Sequence, residues 1–162
     1  MQADVGYLKH PMTISMLALW AVNDHILKAQ FGNVWTGKLS DVAGLVVFPL
    51  FLLGLYETLV TIAQSKRVLM VCLLATGLFF VGLNTSQVIS DLVCQLLGTL
   101  QWPFKLLLSA IEGRQLPSMV PTTATPDLTD LYTLPALWLS WSLGAKTLNA
   151  RDPNARDHSM DA

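Results

Sequence analysis

The chain has 162 residues, about one domain, of which 52% are hydrophobic and only 13% charged, with a mean hydropathy of +0.49. A small soluble domain carries roughly 25% charged residues, because its high surface-to-volume ratio leaves much surface to be wetted. The deficit argues against a water-soluble globule and for lipid as the solvent of much of the surface. The net charge of −1 lacks the basic excess of a nucleic-acid-binding protein, so no nucleic-acid partner is expected.

The first apolar run is Pro11 to Val22, preceded by Lys9 and His10 and followed by Asn23-Asp24-His25. Twelve residues are too few to cross a bilayer core, which takes about 20. Helical periodicity continues through Ile26, Leu27 and Phe31, so a first span is expected over 11–31, with Asn23, Asp24 and His25 inside it or at its edge. A weakly basic start before a short apolar core also suits a signal peptide. No small-x-small cleavage site precedes Asn23, which favours a retained helix.

A second span is expected over 42–63, with Glu57 as its one acidic residue and Pro49 as a kink point. Gln64-Ser65-Lys66-Arg67 reads as a tight polar connection to a third span over 68–87. Residues 90–111 are apolar but interrupted by Asp91, Trp102-Pro103 and Lys105. They suit an amphipathic or re-entrant interfacial helix better than a full span, with a fifth span as the alternative. The Pro- and Thr-rich stretch 112–127 reads as a loop, 128–145 as the last span, and 148–162 as a polar, disordered tail after a membrane domain of residues 1–147. The fold class expected is all-α, a polytopic bundle of four transmembrane helices plus one interfacial helix.

Placing both termini in the cytoplasm leaves six basic residues inside (Lys9, Lys66, Arg67, Lys146, Arg151, Arg156) and four outside (Lys28, Lys38, Lys105, Arg114). That bias favours a plasma (inner) membrane protein whose loops 23–41 and 90–127 share the outer side. Trp20, Trp35, Trp102, Trp138 and Trp141 suit anchoring at head-group level. Gly54, Ala75, Gly77 and Gly82 suit close helix packing. Cys72 and Cys94 lack metal-type spacing and read as buried, inert thiols.

Gly32 to Ser40 (GNVWTGKLS) comes near the phosphate-loop pattern G-x-x-x-x-G-K-[ST]. Leu39 stands where the magnesium-binding hydroxyl is needed, and no strand precedes the loop, so no nucleotide is expected. Gly37 is instead expected to permit a turn, with Ser40 capping the second span and Asp41 at its positive end. The more informative constellation is Asn23, Asp24, His25 and Lys28 with Thr36, Lys38, Ser40 and Asp41, joined by Asp127 and Asp130 at the start of the last span. On the expected topology these residues meet at one membrane face. Ionisable groups at such depth suggest a functional site.

Three roles follow from the residue types. Asp24, His25, Asp41, Asp127 and Asp130 are candidate catalytic residues, one aspartate serving as general base beside His25. Asp24, His25 and Asp41 are candidate ligands for a divalent metal, and the sequence assigns no other cofactor. Lys28, Lys38 and Asn23 are candidate substrate-binding residues. The competing structural reading makes the same aspartates helix caps and Asp24–Lys28 an i, i+4 ion pair. Glu57, a lone carboxylate within a span, is expected to pair with Asn84 or Lys66 and is the candidate for an ion path.

Three function classes remain. A binding or accessory membrane protein, packed against the lipid bilayer and against other subunits or itself, fits the small size and the lack of a catalytic motif. A head-group-directed membrane enzyme would use the Asp/His face. A small oligomeric transporter or channel subunit would use Glu57.

Overall fold

The structure, a computed structural model, describes residues 6–60, 66–113 and 124–151. Among these residues every regular element is helical. Helix α1 (Pro11–Val22) runs without a break through a π turn (Asn23–Leu27) into α2 (Lys28–Phe31). Then follow α3 (Val34–Leu59), α4 (Lys66–Thr85), α5 (Gln87–Glu112), a 3₁₀ segment (Leu128–Ala136) and α6 (Leu137–Arg151). Two compact units divide the chain, one of residues 1–78 and 132–162 and one of residues 79–131.

In the first unit α1 to α3 form a helical hairpin. Its turn is only Gly32-Asn33, much tighter than the polar loop expected over 23–41. Gly32 ends α2 in a left-handed conformation (φ 32°), which a residue without Cβ adopts at little cost, and its N–H donates to the Lys28 carbonyl at 3.1 Å. Asn33 then starts α3 with a capping box: its side chain accepts from the Thr36 N–H, and the Thr36 hydroxyl accepts from the Asn33 N–H. The helix therefore begins eight residues before the expected span, and Ser40 lies within it rather than capping it. Gly37 is an ordinary helical residue with space around it, not a turn, and Asp41 sits beyond the first turn. A reciprocal cap at Asn33-Thr36 outcompetes a single serine four residues further on.

Helix α3 supplies the largest share of the core of this unit, through residues such as Ala43, Leu45, Val46, Leu50 and Leu53. Pro49 lies inside it, and a proline cannot donate to the carbonyl four residues earlier, that of Leu45. Helix α6 makes good the loss. The fully buried Ser140 hydroxyl lies 2.9 Å from the Leu45 oxygen and 2.6 Å from that of Val46, donating across the helix interface. Gly144, one turn further along α6, permits close approach, since a Cβ there would lie 2.7 Å from a Leu69 methyl and 3.4 Å from one of Leu50. Gly77 meets Leu137 in the same way, at 3.1 Å, as expected of a small packing residue.

Two helices, α3 and α4, are long and apolar enough to cross a membrane. They correspond to the expected second and third spans, with ends shifted. Lys66 and Arg67 belong to the first turn of α4 rather than to a connection, and Gln87 belongs to α5. The expected last span differs more. Residues 128–136, with Pro135 among them, form a 3₁₀ segment, and the α-helix is 15 residues long and runs on to Arg151, past the expected end at 145. Residues 148–151 of the expected tail are thus helical; the rest of that tail, residues 61–65 (the end of the expected second span and the start of the expected connection) and most of the 112–127 loop lie outside the described residues.

In the second unit Ser86, extended and the sole residue between α4 and α5, caps α5 through its hydroxyl, which accepts from the Ile89 N–H at 3.4 Å. Gly82 leaves room for Ile89, to which a Cβ would come within 3.3 Å. Helix α5 ends at Gly113, which adopts φ 64°. Cys72 and Cys94 are both free and buried.

Candidate functional site

The candidate residues on α1 to α3 gather beside the hairpin turn. Asn23 opens the π turn, where one extra residue per turn realigns the helix faces. Its side chain is fully buried against α3, and Nδ2 donates to the Thr36 carbonyl and to Ser40 Oγ, each at 2.6 Å. Ser40 Oγ in turn donates to Asp24 Oδ1 at 2.5 Å, and the Lys28 ammonium closes the chain on the same oxygen at 2.7 Å. Asn23 Oδ1 is buried with no hydrogen-bond partner among the described residues.

Four of the expected site residues are thus assembled: Asn23, Asp24, Lys28 and Ser40. The ion pair is the i, i+4 contact expected on structural grounds. With side chains 38% and 42% exposed, it contributes about 0.3–0.5 kcal/mol. His25 is exposed on the π turn, and Lys38 and Asp41 are half-buried on α3. Among the described residues no three His, Cys, Asp or Glu side chains gather closely enough to hold a metal ion.

Chemically, this arrangement is a closed relay of amide, hydroxyl, carboxylate and ammonium. Ser40 is buried and donates its proton to a carboxylate that also faces a cation, a geometry that ties the two helices of the hairpin together.

Asp127 and Asp130 belong to the second unit. Asp127 Oδ1 accepts from the Thr129 N–H at 2.8 Å, and the Asp130 N–H donates to the Asp127 carbonyl at 3.0 Å. Both therefore organise the start of the 3₁₀ segment. In that unit Ser90 Oγ and Gln87 Nε2 also reach the Ala124 carbonyl.

Glu57 is placed differently from expectation. It lies in the last turn of α3, buried, and Oε2 accepts from the Tyr7 hydroxyl at 2.9 Å, where Asn84 or Lys66 was the expected partner. Asn84 donates to the Phe80 carbonyl of its own helix. Tyr7 is fully buried, and its carbonyl accepts from Thr13 Oγ1 at 2.8 Å, so Tyr7 is fastened to both helices of the hairpin. Tyr7 and Ser140, like Thr13, are buried and hydrogen-bonded residues not anticipated from the sequence. Tyr7 carries no local signal fifty residues from its partner. Ser140 had an indirect one, since the proline in α3 implies a carbonyl in need of a donor.

Compared with protein-family models, with curated proteins and with solved structures, the chain matches none.

Proposed function

We propose that this chain is a small multi-pass membrane protein with a binding or accessory role, its helices packing against lipid and against partner subunits. The observation that carries the reading is the surface of α4. Its apolar window is only 28% buried, and Val71, Leu74 and Leu78 are among its exposed side chains. A helix of that composition in the core of a soluble protein would be mostly covered. The arm Pro11–Phe31 and α6 both pack along α3, so a bilayer that holds α3 also holds them. The arm is 21 residues of continuous helix, about 31 Å at 1.5 Å per residue, enough to cross. Counted this way there are four membrane segments, with both termini on the cytoplasmic side of the plasma (inner) membrane.

An accessory role is supported by how the polar residues are used. Asn23, Ser40, Asp24 and Lys28 satisfy one another across the hairpin, and Tyr7 and Glu57 fasten its other end. The test is functional replacement in a cell that depends on the protein. Asp24→Asn, His25→Ala and Asp41→Asn, each checked for normal abundance in the membrane, are expected to retain the phenotype. Loss of function in any of them at normal abundance refutes the accessory reading in favour of a head-group-directed enzyme.

A further inference from the structure

We propose that α5 lies in the plane of the membrane surface, with one apolar stripe seated among the acyl chains of an electrically neutral bilayer. This rests on the membrane reading above and assigns to α5 both an orientation and a lipid class.

The stripe consists of Leu92, Leu96, Leu100, Phe104, Leu107 and Ile111, spaced by four, four, four, three and four residues and so aligned on one helical face. These side chains are exposed by 60% (Leu92) to 73% (Ile111), although all six are large and apolar. The residues α5 buries are small: Ser90, Cys94 and Gly98. The stripe is therefore no part of a core. With each of the six side chains offering on the order of 100 Å², the stripe reaches the upper end of the apolar patches that soluble monomers leave bare, the range in which such patches mark a contact surface.

The occupant follows from charge and position. No charged residue interrupts the stripe. Asp91, Gln95, Gln101 and Lys105 are exposed away from it, along the whole length of the helix. Were α5 to cross the bilayer, those groups would face acyl chains at depth, which is costly. In the plane of the surface they face water while the stripe faces lipid. Covalent geometry puts the helix at the right level. Helix α4 has 20 residues, about 30 Å, which matches the hydrocarbon thickness, and Ser86 alone separates it from α5. The ionisable groups of α5 are Lys105 against Asp91 and Glu112, so the helix offers no cationic attraction to anionic lipid. Seating is apolar and independent of salt.

The test uses the full chain with Cys72 and Cys94 replaced by alanine and its helicity verified. Single cysteines carrying an environment-sensitive fluorophore are placed at Leu96, Leu100 or Leu107 on the stripe, at Gln95 or Gln101 off it, and at Leu74 on α4 as control. The protein is reconstituted in phosphatidylcholine vesicles containing lipids with nitroxides at shallow or deep acyl positions. All three stripe probes should be quenched at least about twofold more by the shallow than by the deep nitroxide, at one common ratio. The Gln95 and Gln101 probes should be quenched by aqueous iodide, and adding phosphatidylserine or salt should change neither result. A ratio running from shallow to deep along the stripe overturns the proposal in favour of a span. Stripe probes reached by iodide, or shielded from both quenchers and cross-linking between copies, also overturn it. If Leu74 too escapes lipid quenching, the membrane reading itself falls. If Leu74 is quenched and the stripe is not, only the assignment of α5 falls.

Discussion

The proline in α3 and the serine in α6 form a pair whose coupling can be calculated and measured. Pro49 leaves the Leu45 carbonyl without a helical donor, and the Ser140 hydroxyl of the neighbouring helix, 2.9 Å from it, supplies one that it shares with the Val46 carbonyl at 2.6 Å. Leu45 is 2% exposed and Ser140 fully buried, so water cannot take over. Ser140→Ala strands a buried acceptor, a loss of about 2 kcal/mol. In a Pro49→Ala background the new N–H at position 49 bonds the Leu45 carbonyl within the helix. The Val46 carbonyl keeps its helical donor from Leu50 throughout. Ser140→Ala should then cost only about 0.6 kcal/mol, the average for a hydrogen bond between membrane helices. The predicted coupling is the difference, about 1.4 kcal/mol. Unfolding of all four proteins of the cycle by sodium dodecyl sulfate in mixed micelles, followed by helical ellipticity, gives the number. Equal losses in both backgrounds, within about 0.5 kcal/mol, would refute the claim that the serine replaces the missing donor.

Three further outcomes are expected from the same assay. Ser40→Ala removes the hydroxyl that joins Asn23 to Asp24. With Asp24 part-exposed and its bond discounted to that of a neutral group, the loss should be about 2 kcal/mol, and Asp24→Asn in that background should add little. Tyr7→Phe takes the donor from Glu57 Oε2 and should cost about 1 kcal/mol or more, and less once Glu57→Gln has removed the carboxylate from the same site. Gly144→Ala drives a methyl group to 2.7 Å from the buried Leu69 and should cost about 1–3 kcal/mol, relieved in part by Leu69→Ala.

Helices α3 and α4 were legible in the sequence because each is a long apolar run, too long for a strand and with few charges to interrupt it. What was misplaced turned on polar residues. Asn23 and Ser40 look like the edges of two spans when read along the chain, yet they are partners across a hairpin whose turn is two residues. The π turn that points Asn23 inward has no sequence signature comparable to a proline or a glycine. The last segment was read as one helix from its composition, but Pro135 lies in a 3₁₀ stretch that precedes the α-helix. Of the candidate site, the local Asp24–Lys28 pair was legible. The bonds from Asn23 to α3 and from Tyr7 to Glu57 were not, because nothing local specifies a partner 17 or 50 residues away.

The central claim is that lipid, not water, covers the exposed side of α4. Single cysteines at Val71, Leu74 and Leu78, in the full chain lacking its native cysteines and expressed in cells, can be treated with a membrane-impermeant maleimide before and after detergent solubilisation. Labelling at all three positions only after solubilisation is the predicted result. Labelling at any of them in intact and lysed cells without detergent would show that water reaches this face and would contradict the account.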